Sequence, residues 1–273
     1  MKTLILDINA IFHRGRNAIL RGNPENELSY DGQITTGTYS SIKSILYFFE
    51  EYGPFNRVIG CYDKGGNNRK KIDPNYKANR RPLSENHLSD FSNFLNFLPS
   101  IGVNLVGKEG IEADDLIAAF SKFINQEALI ISVDKDMLSL ITDCCNVMLY
   151  SSDKKRKLWT PEVFKSEYGF PPSDFPLYKA IVGDKSDNIK GLYRYGKVRA
   201  KKLLENSDYN VDNMKAFLSP EDFEKVKHNL SLVNFWNDLK VPQLTPLMEF
   251  NPDKERFLDL CETFGFNSLK NKL

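Results

Sequence analysis

The chain has 273 residues, 41% of them hydrophobic and 27% charged, with a formal net charge of +1. That composition describes a globular chain able to bury a real core, while the near-neutral balance excludes any argument from bulk charge for a polyanionic partner. No apolar run approaches the length of about 18 residues that a membrane span needs, no leader-like h-region follows Met1, and the four cysteines match neither zinc nor disulfide spacing. The expectation is a monomer in a reducing cytoplasm, with no membrane partner.

Along the chain, apolar runs alternate with stretches of helical period, the pattern of an α/β fold with a mainly parallel central sheet flanked by helices. Leu4-Ile5-Leu6 reads as the first strand. Thr38 to Tyr52, with Ile42, Ile45, Leu46 and Phe49 on one face, reads as a helix ended by Gly53-Pro54. Val58 to Tyr62 predicts a second strand, Phe91 to Phe97 a helix stopped by Pro99, and Val103 to Val106 a short third strand. Ile111 to Phe123 predicts a helix, and Ala128 to Val133 a buried central strand. Lys154 to Lys157, behind Asp153, reads as an exposed loop. Beyond Trp159 the pattern is helical, broken by Pro171-Pro172, Gly183 and Gly191. The expected division is a core over residues 1–175 with a basic insert at about 64–90, then a helical region over 176–273 with a hairpin at about 183–204.

Acidic residues stand at the ends of the predicted strands. Asp7 follows the first, Asp63 the second, and Asp134, with Asp136 two residues on, the central one. In open α/β sheets the functional crevice lies at the carboxyl ends of the strands, so these side chains would converge. Glu112, Asp114 and Asp115 add carboxylates at a loop-to-helix junction; Glu112 is expected in the turn, with the helix N-terminus facing the cluster. Asp184 and Asp187 follow in Gly183-Asp184-Lys185-Ser186-Asp187-Asn188. A lone aspartate after a strand is ordinarily a turn residue or helix cap; the convergence of so many is what favours a site. Like charges so close need cations. All-oxygen ligands without His or Cys select Mg²⁺, with Mn²⁺ as substitute, over zinc, and two ions about 4 Å apart suit phosphodiester hydrolysis.

Two basic stretches flank these acids. Lys64, Arg69, Lys70, Lys71, Lys77, Arg80 and Arg81 face only Asp73, and Lys185, Lys190, Arg194, Lys197, Arg199, Lys201 and Lys202 face only Asp187. Each could be a solvated surface, but beside a metal site they suit phosphate-backbone contacts. Gly191 to Lys197 matches a phosphate-loop pattern only weakly, since no strand precedes it and Val198 replaces the Ser or Thr that would hold Mg²⁺. A helix-hairpin-helix fits better: the turn from Gly191 to Gly196 offers backbone amides to DNA phosphates, and a helix runs from Val198 to Leu204. His13, His87 and His228 share no metal spacing and read as structural.

Taken in order, the motifs resemble those of the structure-specific 5′ nucleases, which include flap endonucleases, the nuclease domain of bacterial DNA polymerase I and stand-alone phage 5′-3′ exonucleases. They are Leu6-Asp7-Ile8-Asn9 through Arg14, Tyr62-Asp63-Lys64, Glu112-Ala113-Asp114-Asp115, Asp134-Lys135-Asp136, Thr160-Pro161-Glu162, Tyr168-Gly169, the Gly183–Gly191 segment, Val241-Pro242 and Phe264–Leu269. The resemblance implies a PIN-like nuclease core and a metal-dependent 5′-3′ exonuclease or flap endonuclease. Asp7, Asp63, Glu112 and Asp114 would bind one ion, Asp134, Asp136, Asp184 and Asp187 would lie near the second, and Asp115 would support either. Arg69, Tyr76 and Lys77 resemble the family's helical-arch residues, with Lys77 as electrophile on the scissile phosphate; Lys77, Arg69, Asp63 and Asp134 would carry catalysis. Arg14, Tyr76, Lys77, Arg80, Arg81, Gly191, Gly196, Lys197, Arg199 and Lys201 would contact DNA, with K⁺ at the hairpin. Implied substrates are DNA with a 5′ flap, nick or 5′ end, and RNA–DNA hybrids, met beside replication proteins. Two departures stand out: Asn68 replaces a usual Phe, and Arg194 and Tyr195 occupy hairpin positions where small residues are usual. The rival readings are a PIN-type ribonuclease, which lacks the basic insert and the hairpin, and a catalytically silent DNA-binding protein, which has no reason to keep so costly a cluster.

Overall fold

A computed structural model describes residues 2–80, 82–124, 126–152, 155–236, 239–241 and 248–273, with the side chains of Ser151 and Ser152 left aside. Arg81, Asp153, Lys154 and Pro242, singled out above, lie outside the described residues. In chain order the elements are β1 (Thr3–Asp7), α1 (Ile8–Leu20), β2 (Ser29–Tyr30), β3 (Gln33–Ile34), α2 (Thr36–Tyr52), β4 (Arg57–Cys61), α3 (Arg69–Ile72), α4 (Glu85–Phe97), β5 (Asn104–Val106) and α5 (Ala113–Phe123). There follow β6 (Ala128–Ser132), β7 (Cys145–Ser152), β8 (Lys155–Trp159), α6 (Pro161–Tyr168), α7 (Phe175–Val182), β9 (Gly183–Asp184), β10 (Ile189–Lys190), α8 (Lys197–Asn206), α9 (Pro220–Val233) and α10 (Lys254–Thr263).

The expected α/β architecture is present. The main sheet has the order β5-β4-β1-β6-β7-β8, parallel except for β8. Strand side chains alternate between faces. Ile5, Ile130 and Val147 therefore join the core beneath α5 to α9, while Leu4, Leu6, Leu129, Ile131 and Met148 join the core beneath α1, α2, α4 and α10. Burial on both faces explains why β1 and β6 read as unbroken apolar runs. The chain leaves β1 toward β4 and β5, then crosses back to β6 on the other side, so a topological switch lies between β1 and β6. That is where such sheets open a crevice. Packing runs straight across residue 175: Trp159, Phe164, Phe175, Ile181 and Leu203 belong to one cluster. The chain then returns to the opposite face, where Phe257 and Phe266 of the C-terminal segment meet Phe97 of α4 at ring distances of 5.7 and 5.8 Å.

Several boundaries differ from the sequence pattern. β4 stops at Cys61 and β6 at Ser132, each short of the expected end, because the chain must turn to present the acids beyond them. Glu85 already starts α4, capped by the Ser84 hydroxyl, which accepts from the His87 amide at 3.2 Å, and a 3₁₀ turn over Leu98–Ile101 carries the chain through Pro99. Proline costs nothing there, since an N–H at that position has no intrahelical partner. Lys155 to Lys157 are not a loop but half of the β7–β8 antiparallel pair. α1 had no counterpart in the expected elements; it follows β1 without a connecting loop. Gly15 on α1 is required by its crossing with α2, because a Cβ would come within 2.5 Å of the Ser40 hydroxyl.

Phe257→Ala tests whether the C-terminal return is part of the core. It should cost about 3–5 kcal/mol in urea unfolding followed by circular dichroism; a loss under about 1 kcal/mol would mean that this segment only decorates the sheet.

Candidate metal centre

The crevice at the switch point is a cleft of about 970 Å³, lined by Asp7, Asp63, Glu112, Asp114, Asp134, Asp136 and Asp184. Each acid is held by its element. Asp7 ends β1 and caps α1: one oxygen accepts from the Ala10 amide at 3.0 Å and the other from the Ser132 hydroxyl at 2.6 Å. Asp63 accepts from the Ala113 amide at 2.7 Å, the first turn of α5, while its own amide donates to Asn9 at 2.8 Å. Glu112 sits in the turn as the N-cap position of α5, as its spacing required, and the helix N-terminus does face the cluster. Asp134 accepts from the Asp136 amide at 2.9 Å. Asp136, Asp184 and Asp187 each bring a carboxylate oxygen within 4.8 Å of the others.

Cations of the chain itself sit among these acids. Lys77 pairs with Glu112 and lies 3.8 Å from Asp187. Arg80 holds Asp187 at 2.9 Å. The Tyr76 hydroxyl lies 3.2 Å from Glu112 and 3.0 Å from Asp187, close enough to donate to either. Lys179 of α7, absent from the expected site, bridges Asp136 and Asp184. Arg69 is buried, not poised in an open arch: it donates to Glu112 and Asp115 at 2.6 Å and to the carbonyls of Leu232 and Asn234 at 2.9 Å. Asp115 accordingly turns away from the cleft, its other oxygen accepting from Arg69 at 2.7 Å and from the Trp236 amide at 2.9 Å.

The segment carrying Tyr76, Lys77 and Arg80 is clipped onto the loop carrying Asp184 and Asp187. The Lys77 amide donates to the Asp187 carbonyl at 3.1 Å, Asn188 to the Asn75 carbonyl at 2.9 Å, and Asn79 to the Lys185 carbonyl at 3.1 Å. Of the other expected DNA contacts, Arg14 and Lys197 line the same cleft. Gly196 caps α8 with open space where a Cβ would stand, which leaves its backbone approachable. Gly191 is different: a Cβ would meet the Val182 carbonyl at 2.3 Å, so it serves the close β9–β10 turn. Arg199 is exposed on α8 and Lys201 half-buried on the same helix. His13, which lines the cleft, meets His87 at a ring distance of 4.7 Å and a tilt of 33°, and burial, then the neighbouring His87, Arg80 and Arg16, hold His13 down at about 4, hence neutral.

Protonation follows the same charge balance. Burial first, then Asp134 and Asp63, push Asp7 up to about 7 against its hydrogen bonds. Burial and Asp134 likewise raise Asp136 to about 7, and Asp114 is held well above the usual carboxylate range by burial, Asp134 and Asp7. Elsewhere the cations win: burial would raise Glu112 and Asp184, but Lys77 and Arg69 lower Glu112, and Lys179 lowers Asp184 to about 2, although the same Lys179 does not offset burial and Asp134 at Asp136. Buried carboxylates that hold protons because burial and neighbouring acids outweigh the cations present fit a hard divalent cation.

A model of the 5′-3′ exonuclease N-terminal, resolvase-like domain matches residues 2–169. The chain belongs to the 5′-3′ exonuclease family. It is 30% identical to DNA polymerase I of Caldicellulosiruptor bescii, over 100% of this chain and 33% of that protein, and 33% identical to the 5′-3′ exonuclease of a Buchnera aphidicola strain from Schizaphis graminum, over 69% of this chain and 64% of the relative. The chain thus spans about a third of the polymerase and just under two thirds of the stand-alone exonuclease. Bacteriophage T5 flap endonuclease, solved as a pseudo-enzyme-product complex with DNA and metal ions, has the same fold, with a TM-score of 0.66 at 21% identity over 85% of this chain and 89% of the other.

The raised groups make metal binding pH-dependent. An aspartate held at about 7 in the fold keeps a proton that the unfolded chain releases near 3.8, so metal-free stability falls as pH rises toward 7, while binding of a cation must expel that proton. Calorimetric Mg²⁺ titration should show affinity climbing from about pH 5.5 to about 7.5 and then levelling. A flat profile across that range would contradict the protonation reading.

Proposed function

We propose that the protein is a divalent-metal-dependent 5′ nuclease that hydrolyses phosphodiester bonds near the 5′ end of structured DNA, as a 5′-3′ exonuclease and flap endonuclease. The observation that carries the reading is the meeting, in one cleft, of carboxylates from the ends of β1, β4 and β6, the start of α5 and the β9–β10 turn, with Lys77 and Arg80 at its edge. Asp7, Asp63, Glu112 and Asp114 would hold one Mg²⁺, and Asp134, Asp136, Asp184 and Asp187 the second, with Mn²⁺ as substitute. When bound, two such ions lower the pKa of a water molecule and neutralise charge on the scissile phosphate and its leaving oxygen.

The chain's own groups do the rest. Lys77, released from Glu112, supplies a positive charge where charge develops on the phosphate in the transition state. Tyr76 and Arg80 orient Glu112 and Asp187, and Arg69 fixes Glu112 from behind while anchoring the arch to the backbone after α9. The open amide of Gly196, with Lys197, Arg199 and Lys201 on α8, suits the phosphates of a duplex, and Arg14 a phosphate near the cleft. Removal of RNA primers or 5′ flaps during replication, K⁺ at the hairpin and contact with replication proteins follow from the family resemblance.

A 5′-labelled flap duplex incubated with Mg²⁺ should be cut, and with EDTA should not. Asp134→Ala should lower kcat by about a thousandfold or more with DNA binding retained, and Lys77→Ala should lower it by roughly a hundredfold. No cutting of any 5′-ended substrate in Mg²⁺, or full activity of Asp134→Ala, would overturn the proposal.

A further inference from the structure

The guanidinium of Arg69, at the start of α3, has five N–H donors, and all five are used. Nε donates to the Leu232 carbonyl at 2.9 Å. Nη1 donates to Glu112 Oε2 and to Asp115 Oδ2, each at 2.6 Å, and Nη2 to Asp115 Oδ1 at 2.7 Å and the Asn234 carbonyl at 2.9 Å. Asp115, in the first turn of α5, thus takes the fork with both oxygens, and the Trp236 amide adds a further donor to Oδ1 at 2.9 Å. Its side chain is fully buried and turns away from the cleft that Glu112 and Asp114 line. A bidentate arginine–carboxylate pair fixes the plane of the guanidinium. Here that plane aims the one N–H left over at Glu112.

The two oxygens of Glu112 are therefore unlike. Oε2 is tied from behind to the immobile Arg69, with the Tyr76 hydroxyl at 3.2 Å. Oε1 is paired only with Lys77, whose flexible stem can swing its ammonium group to Asp187, already 3.8 Å away. Freeing Oε2 would strand a buried guanidinium donor, whereas freeing Oε1 strands nothing.

We propose that Asp115 is a positioning residue that acts through Arg69 to make Glu112 a one-oxygen ligand, and that this biases the metal centre toward Mg²⁺ and against Ca²⁺. The proposal rests on the metal-centre reading above. Mg²⁺ demands near-octahedral geometry, which the narrow bite of a chelating carboxylate fits poorly, whereas the larger Ca²⁺ takes more oxygens and readily accepts both from one carboxylate. A glutamate whose second oxygen is held by a saturated guanidinium cannot chelate, so Ca²⁺ loses a ligand that Mg²⁺ does not need. Adjacent acids on α5 thus have separate tasks: Asp114 faces the ion, and Asp115 sets how Glu112 meets it.

The test titrates the full chain, without DNA, with MgCl₂ and with CaCl₂ by calorimetry, so that it reads binding and not cutting. Asp115→Asn keeps the shape of the side chain but lets the arginine fork turn; it should lower the ratio of Mg²⁺ to Ca²⁺ affinity about tenfold, the scale of effect for partners that orient metal ligands. Arg69→Met with Asp115→Leu removes the buried pair together, leaving no charge uncompensated, and should lower the ratio by a similar factor. Phe257→Ala, which loosens the fold from the opposite face, should leave the ratio unchanged. An unaltered ratio in Asp115→Asn or in the double variant, the same shift in Phe257→Ala, or loss of a whole ion from the stoichiometry of Asp115→Asn would overturn the proposal, the last by making Asp115 itself a ligand. Wild-type protein that bound neither ion would instead sink the metal-centre reading.

Discussion

Mutual repulsion among buried carboxylates is the constraint on which this structure turns. Two like charges at the 4.8 Å limit within which the Asp136, Asp184 and Asp187 oxygens lie would cost about 3.5 kcal/mol at an effective dielectric constant of about 20, and the same cleft gathers Asp7, Asp63, Glu112, Asp114 and Asp134 as well. The fold meets this cost in two ways. Asp7, Asp114 and Asp136 retain protons at pH values where a free aspartate would be ionised. Glu112, Asp184 and Asp187 are paired with Lys77, Arg69, Lys179 and Arg80, and Lys179 touches Asp136 as well.

That division gives the cleft a built-in exchange. Lys77 and Lys179 have long, flexible stems and occupy the carboxylates that a divalent cation would claim, so cation binding and movement of these ammonium groups are linked. Arg69 is different. Its guanidinium is fixed by two carboxylates and two backbone carbonyls, so it stays as a strut beneath Glu112. Because Lys77 and Asp187 are joined through the backbone as well, release of Lys77 need not carry its segment away; the clip through Asn75, Asn79 and Asn188 keeps the Tyr76–Arg80 segment and the Asp184–Asp187 loop together.

The strands, their order of acids and the position of Glu112 were legible because they are written locally: an apolar run, then an aspartate, then helical period. The β7–β8 pair was not, since Lys155, Arg156 and Lys157 on an outer antiparallel strand carry no apolar alternation to betray it. Neither was α1, in which Gly15 and Arg16 stand on the buried stripe with Ile8, Ile11 and Phe12 and break its apolar pattern. The burial of Arg69 depends on partners as far away as Asn234, and the place of Lys179 beside Asp184 depends on α7 packing next to the β9–β10 loop; neither leaves a mark in its own neighbourhood. Asp115 shows the reverse error: adjacency to Asp114 suggested a ligand, but helical geometry turns neighbouring side chains to different faces.

The central claim is that this acidic cluster is a divalent-cation centre whose resident countercharges are displaced on loading. Crystals soaked in Mn²⁺ and measured at the manganese absorption edge test it most directly. The account predicts anomalous peaks among Asp7, Asp63, Glu112 and Asp114 and among Asp136, Asp184 and Asp187, with the Lys77 and Lys179 ammonium groups withdrawn from Glu112, Asp136 and Asp184. A soaked crystal with no peak in the cleft, and both lysines still paired with their carboxylates, would contradict it.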